Sequence, residues 1–384
     1  MVERFGALAA RVRGVDRALV WTLVAHAIVA MAYFVVLFAP PVLPLMDLGS
    51  HVELGVALRH LGDGTRVGQK FEFGIFPAPN TLFYVLYAAA SYVLAPLVAA
   101  KAVVAVYLVG VPLGVLYVLR GANKNVAWSL GAYPMLLSWP FQSGFIDYCL
   151  SFVPLFFGLG LLDRSLTRGV TRTRVIALIF VSALTFLGHF QGGLFYALGA
   201  SCLLLARLPL RTPEKWASWF GLACSSVLVV FALFVFWYVQ AKAVIAGGHA
   251  APPAWQDLDE KLRVAFLNTY FVLSNEYDGL VFYAVTLSIL VACAIGVRGS
   301  SRSSDGFVYF VVATALAHAF GPVTASHYVH FDNRIPALWA FLLLLAIAPG
   351  AMPTHRVRNA AVLGTFTLAA LAAIGAWVPT MRQF

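Results

Sequence analysis

The chain has 384 residues, 61% of them hydrophobic and 11% charged, and its mean hydropathy is +0.85. A soluble domain needs a mixed, charged surface that this composition does not supply, so the chain belongs in lipid. The formal charge of +10 does not point to nucleic acid, because the Lys and Arg residues fall in short clusters between apolar runs and read as topology signals.

At the start, Arg4, Arg11, Arg13 and Arg17 precede an apolar run from Ala18 to Ala39, with Pro40-Pro41 after it instead of a small-residue cleavage site. This predicts an uncleaved signal anchor with its N-terminus inside. Further apolar runs lie at 80–97, 102–119, 126–141, 147–162, 175–190, 192–206, 216–239, 280–297, 307–320, 335–349 and 360–378. If all of them crossed, Arg120, Lys124 and the tract Arg164, Arg168, Arg172, Arg174 would lie outside, against the positive-inside rule. The run 80–97 is bracketed by Pro77, Pro79 and Pro96 and interrupted by Ser91, and is therefore assigned to an interfacial helix on the outer face. The expected architecture is all-α: a polytopic transmembrane helix bundle of about eleven spans. It is one domain over 1–384 with no soluble domain, its C-terminus is outside, and 126–141 is its short span.

On this topology the outer connections are 40–99, 142–146, 189–191, 240–279 and 321–334. Gly49 to Leu61 reads as an amphipathic helix with Val52, Val56 and His60 on one stripe, ended by Gly62-Asp63-Gly64. Trp255 to Arg263 reads as a solvated amphipathic turn, with a lid over the cavity as the alternative. Cys149, Cys202, Cys224 and Cys293 each sit in an apolar run and read as buried thiols. His26 and His318, inside spans, read as packing or helix–helix hydrogen-bonding groups.

The informative polar residues all open on the outer face. Asp47, His51 and Glu53 come from the first loop, Asp147 from a span's outer end, His189 and Gln191 from a hairpin, and His327, His330, Asp332, Asn333 and Arg334 from the last loop. Asp47 precedes His51 by four residues, so both share a face if a helix begins near Asp47. Such a pair could hold a divalent cation or join a general base to its orienting partner; Asp47 reads equally as a helix N-cap, and so does Asp147. His189 is a satisfied hydrogen-bonding group or a ligand. The segment 327–332 has ligand residue types at close spacing, though no HExxH motif. Arg334, beside Asp332 and Asn333, suits a lipid phosphate or an ion pair with Asp332.

Pro44-Leu45-Met46-Asp47 follows the first span, Pro79-Asn80-Thr81-Leu82 opens the interfacial helix, and Gly144-Phe145-Ile146-Asp147 stands at a span's outer end. With His189 ahead of a Gly pair and Arg334 in the last outer loop, the chain resembles bacterial GT-C type membrane glycosyltransferases over most of its length, from Arg17 to about Arg334. Those enzymes take a sugar from a polyprenyl-phosphate carrier at the extracytoplasmic face. The resemblance implies a location in the bacterial inner membrane, a catalytic Asp47 as general base or metal ligand, and Asp147 as a second acid for metal or acceptor. It also implies His51, Asn80, His189 and Arg334 as substrate-binding residues. A divalent cation is the implied candidate cofactor, and a polyprenyl-phosphate sugar and membrane lipids are the implied partners. Two features depart from the pattern: the first loop lacks two adjacent acids, having His51 and Glu53 downstream, and no C-terminal soluble domain follows. The absence of a Gly-rich nucleotide loop agrees with a lipid-linked donor. A non-catalytic relative serving as scaffold or subunit, and a transporter, are the competing readings. A transporter would place ionisable groups near mid-membrane and often show repeated halves, and no repeat is visible.

Overall fold

The computed structural model describes residues 17–71, 74, 76–247, 251–263, 305–322, 324–326, 334–350 and 356–382. In chain order the elements are α1 (Arg17–Phe38), α2 (Leu48–Arg59), α3 (Arg66–Lys70), α4 (Leu82–Ser91), α5 (Pro96–Gly121), a 3-10 segment (Val126–Met135), α6 (Trp139–Gln142), α7 (Ile146–Arg168), α8 (Arg172–Gly188) and α9 (Phe190–Ala206). A 3-10 turn (Pro213–Lys215) then leads into α10 (Trp216–Ala223), which continues through a π turn (Cys224–Leu228) into α11 (Val229–Gly247). The remainder is β1 (Ala251–Ala254), α12 (Asp305–Phe320), β2 (Thr324–Ser326), α13 (Ile335–Ile347) and α14 (Arg356–Arg382).

Among the described residues, five helical stretches are long and apolar enough to cross a membrane: Arg17–Phe38, Pro96–Gly121, Ile146–Arg168, Pro213–Lys242 and Asn359–Pro379. Their outward faces carry the apolar surface that lipid requires. On α1, Val29, Tyr33 and Leu37 are buried while Trp21, Ile28, Met31 and Val35 stand exposed; Ile176 and Phe180 of α8 and Val235 and Phe236 of α11 are exposed in the same way. Apolar surface on this scale, on helices whose backbone groups are bonded internally, is a lipid-facing surface.

Hydrogen bonds fix which helix ends lie together. Buried Lys101, in the second turn of α5, donates to the Pro40 carbonyl just past α1. At the opposite end buried Lys124, just past α5, donates to the Leu345 and Ala346 carbonyls in the last turn of α13. Nearby, the Asn125 N–H donates to the Pro349 carbonyl at 2.9 Å and the Asn125 amide to Asn359 at 2.8 Å. Asp163 of α7 pairs with Arg207 at 2.9 Å, and Arg164 donates to the Tyr117 carbonyl at 3.2 Å. The clustered cations around Arg120, Lys124 and Arg164 thus share one end, the basic end.

The run 80–97 is split by the structure. Its helix, α4, stops at Ser91, and Pro96 opens α5 at a position where a missing N–H costs nothing. Ten residues of α4 rise roughly 15 Å, half the ~30 Å hydrocarbon thickness. Length alone keeps it from crossing.

The segment expected as a short helical span at 126–141 is different in kind. Val126–Met135 is a 3-10 helix, every residue of it buried, and it leads from Asn125 at the basic end to Gln142, whose carbonyl accepts the Met46 N–H at the other end. Its thinness is imposed by its neighbours: a Cβ on Gly131 would stand 2.9 Å from Phe366 and 3.0 Å from Leu344. A 3-10 helix rises about 2 Å per residue and covers the distance in fewer residues. Side chains of α1 hold it there. His26 reaches Ser129 Oγ at 2.8 Å and the Tyr133 hydroxyl at 3.1 Å, and the Tyr33 hydroxyl donates to the Tyr133 carbonyl at 2.7 Å. His26 is therefore the helix–helix hydrogen-bonding group expected of it.

Two further expectations are corrected. Cys149 and Cys202 are buried, but Cys224 is exposed, because the π turn carries it onto the outward face of the α10–α11 helix. The 255–263 turn is not simply solvated. Lys261 is fully buried and donates to the His318, Ala319 and Gly321 carbonyls, so its charge closes the carbonyl end of α12. The same strap is tied by an antiparallel ribbon, Ala251 opposite Ser326 and Ala254 opposite Thr324. His318 faces the Lys261 carbonyl at 3.2 Å and meets the Trp339 ring edge-on. Cys293, the run 280–297 and the His327, His330, Asp332 and Asn333 positions lie outside the described residues.

Candidate functional site

At the end opposite the basic one, three backbone dockings bring the predicted residues together. The Met46 and Asp47 N–H groups donate to the Gln142 and Ser143 carbonyls at 3.4 and 3.2 Å. Gly144 beside them has φ +81°, and a Cβ there would press into the Asp47 backbone nitrogen, so the close approach needs glycine. The Thr81 N–H donates to the Leu187 carbonyl at 2.8 Å, joining the start of α4 to the α8–α9 hairpin. Asn80, just before, sits at φ 64°, a left-handed position that Asn tolerates better than most residues. The hairpin in turn presses on α7 one turn below Asp147: Cβ atoms on Gly188 or Gly192 would collide with Ser151.

Asp147 is 2% exposed and stands in the first turn of α7, whose N-cap is Phe145. Expected as a cap for its own helix, it serves another: its Oδ1 accepts the Phe83 N–H at 3.3 Å, one of the free amides at the start of α4. Its Oδ2 lies 3.1 Å from His51 Nδ1, an ion-pair distance without a straight N–H···O line, and so keeps hydrogen-bonding capacity unfilled. The Tyr84 hydroxyl is also 3.1 Å from His51 Nδ1. Rings hold the imidazole on both sides, Tyr84 stacked at 5.8 Å and Phe83 tilted at 5.7 Å.

The expected Asp47–His51 pair does not form. Asp47 occupies the N-cap position of α2 without a side-chain capping bond, so its capping role is carried by backbone alone. Its carbonyl accepts the His51 N–H at 3.3 Å. With the Asp47 backbone pinned to Ser143, the first turn of α2 sends His51 toward α4 and α7, where Asp147 receives it. Asp47 remains half-buried and Glu53 exposed.

His189 links α8 to α9. Its Nδ1 accepts the Gln191 N–H at 3.1 Å, capping α9. A neutral imidazole has one ring lone pair, so Nδ1 and Nε2 cannot both accept. Arg334 Nη1, which can only donate, lies 2.9 Å from Nε2, so the Gln191 and Arg334 N–H groups compete for that lone pair. The guanidinium is held over the Phe145 ring at 4.1 Å and near the Tyr148 ring at 5.8 Å, and the Tyr148 hydroxyl donates to the Arg334 carbonyl at 2.7 Å. The His189 ring meets Tyr148 edge-on at 5.2 Å, next to Asp147 in α7, so the acid–imidazole pair and the cation share one neighbourhood.

Buried Asn80 Oδ1 and Gln142 Nε2 also lack a partner among the described residues. Both belong to the segments docked at this end, Asn80 ahead of α4 and Gln142 ahead of Gly144. Beside them, Leu54, Leu58, Phe76, Thr81, Tyr84 and Val85 help line an open apolar groove of about 190 Å³. No three His, Cys, Asp or Glu side chains gather as metal ligands among the described residues, and Asp147 is already engaged by Phe83 and His51. Sequence reasoning missed Tyr84 and Tyr148. Tyr84 is one of several hydroxyls in its run, with Thr81, Tyr87, Ser91 and Tyr92, and Tyr148 adjoins the acid it helps frame.

Compared with known proteins, the chain matches no family model, no curated protein and no solved structure.

Proposed function

We propose that the chain is a GT-C type glycosyltransferase of the bacterial inner membrane, with about eleven spans and its N-terminus in the cytoplasm. It moves a sugar from a polyprenyl-phosphate donor to an acceptor at the extracytoplasmic face. The observation that carries this reading is the Arg334 guanidinium set against His189, Nη1 to Nε2 at 2.9 Å, beside the buried Asp147–His51 pair. One half suits a phosphate; the other suits a hydroxyl proton. Clustered Arg and Lys residues at the opposite end support the orientation, and the apolar groove beside Tyr84 suits the first isoprene units of the carrier.

In such a transfer the acceptor oxygen attacks the anomeric carbon, and the carbon–oxygen bond to phosphate breaks with its electron pair on the phosphate. Arg334 and His189 would stabilise that charge as it develops, and single displacement inverts the anomeric centre. The resemblance gives the proton-accepting role to Asp47. The transporter reading loses ground because the buried acids and Lys124 sit at helix ends, Asp147 at one end and Lys124 and Asp163 at the other, while mid-helix His26 is bonded to Ser129 and Tyr133.

Two measurements on protein in nanodiscs test the reading. Farnesyl phosphate should bind, farnesol much less, and Arg334→Ala should weaken the phosphate roughly 10- to 100-fold, as expected for about 1.5–3 kcal/mol from a charged hydrogen bond. Farnesyl-phosphate hexoses and pentoses, offered as a panel with water or glycosides as acceptors, should include one that is consumed. Equal affinity in Arg334→Ala, or no consumption across the panel, would overturn the assignment in favour of a non-catalytic role.

A further inference from the structure

We infer that His51, and not Asp47, is the base of this site, with Asp147 as its positioning residue; the inference rests on the transferase reading above. His51 Nδ1 faces two oxygens, Asp147 Oδ2 and the Tyr84 hydroxyl, each at 3.1 Å. A carboxylate offers only lone pairs, so a bare Nδ1 lone pair at that distance would meet it acceptor to acceptor. Nδ1 therefore carries the ring proton, and the lone pair is on Nε2. His51 thus stands between the Tyr84 hydroxyl and the Asp147 carboxylate. Nε2 has no bond to any described residue. With the His51 side chain 18% exposed, that nitrogen is sheltered from bulk water yet open to a bound hydroxyl.

Asp47 has none of this orientation. No hydrogen bond fixes its carboxylate at the cap of α2, whereas the His51 ring is held by two rings and two oxygens from α4 and α7. Proton transfer in a transition state rewards the group whose geometry is set beforehand. The charged and titratable groups around His51 are Asp147 from α7, Tyr84 from α4, His189 from the hairpin, and Asp47 and Glu53 from the start of its own element.

The step balances with these groups alone. The acceptor O–H gives its proton to His51 Nε2 as its oxygen bonds to the anomeric carbon. The bond from that carbon to the phosphate oxygen breaks, and the electron pair leaves on the phosphate facing Arg334 and His189. Asp147 stays ionised and stabilises the imidazolium, which then returns its proton to water.

The test uses full-length protein in nanodiscs with the farnesyl-phosphate sugar that the wild type consumes. His51→Ala should lower kcat by about 10²- to 10⁴-fold, leave farnesyl phosphate binding within a few-fold, and regain turnover when imidazole is added. His51→Gln should be equally slow without rescue, since the cavity stays filled. Asp147→Asn should lower kcat more than it raises KM, and Asp47→Asn should lose less than His51→Ala. In wild-type protein, diethyl pyrocarbonate should modify His51 and abolish turnover, and hydroxylamine should restore it, which requires no variant to fold. Full activity in His51→Ala, or loss that imidazole does not rescue while Asp47→Asn abolishes turnover, overturns the inference and leaves the transferase reading standing. A wild type that consumes no phospho-sugar removes both.

Discussion

The two ends of the bundle handle buried charge in opposite ways. At the basic end each charge has a permanent partner: Asp163 has Arg207, and Lys124 has the last carbonyls of α13. At the site end Asp147 faces an imidazole, and Arg334 Nη1 lies 2.9 Å from the His189 Nε2. Each end leaves one carboxylate oxygen without an aligned donor, Asp163 Oδ2 and Asp147 Oδ2. The orphaned atom therefore does not distinguish them. What differs is the partner of the buried carboxylate: Asp163 faces a fixed ion, Arg207, and Asp147 a group that can gain or lose a proton, His51. The first arrangement closes a structure, and the second leaves it open to a ligand.

Substitutions can break that contrast, and the largest effect on stability should come from the basic end. Asp163→Ala strands Arg207 and should lower stability by about 2–4 kcal/mol, below the full value for a buried pair because Arg207 is part-exposed. Thermal unfolding in nanodiscs checks it, and Asp147→Asn should unfold at nearly the wild-type temperature because an amide oxygen still accepts the Phe83 N–H. If the two shifts were equal, the ends would not differ in kind. Gly144→Ala should cost about 1–2 kcal/mol for its left-handed backbone and displace the Asp47 loop. It should reduce turnover of the farnesyl-phosphate sugar in a protein that still folds.

Smaller effects sharpen the picture. Tyr148→Phe removes one hydrogen bond to the Arg334 carbonyl and should cost about 0.5–1.5 kcal/mol, read as a few-fold weaker farnesyl phosphate affinity. The mildest change concerns the turn after α2, outside the membrane-spanning segments. There the Thr65 hydroxyl and N–H, with His60, hold the Asp63 carboxyl down to about 2. A depressed carboxyl contributes its stability above its ordinary value, and that contribution is lost as pH falls toward the folded one. Amide exchange at Thr65 and Gly68 should therefore be level from pH 7 to about pH 4 and quicken below it, and Asp63→Asn should remove the step.

Much of this was legible along the chain, for reasons that can be named residue by residue. The runs that became α1, α5, α7 and α14 are long and apolar, and hydropathy sums over a window without regard to neighbours. The prolines around 80–97 and the cations at Arg120 and Arg164 both argued that this run does not cross, and α4 is indeed too short. Asp147, His51, His189 and Arg334 were picked out as polar residues at run ends, and they do gather. The 3-10 form of 126–135 was not legible, since the slot between α13 and α14 that Gly131 fits belongs to distant parts of the sequence. Nor was the burial of Lys261, whose partners are carbonyls of α12. The exposure of Cys224 likewise depends on how the π turn rotates its helix.

By itself, the sequence determined that this is a helical membrane chain whose cations collect at one end and whose candidate chemistry collects at the other. Those properties are sums of side-chain solvation and charge along the chain, and they need no knowledge of which helices touch. Only the tertiary structure decided partners. Asp47 stands four residues from His51, but a docking of its backbone on Ser143 turned the imidazole to Asp147, ninety-six positions away. A hydrogen bond depends on position to within tenths of an ångström, and only packed helices fix position that finely.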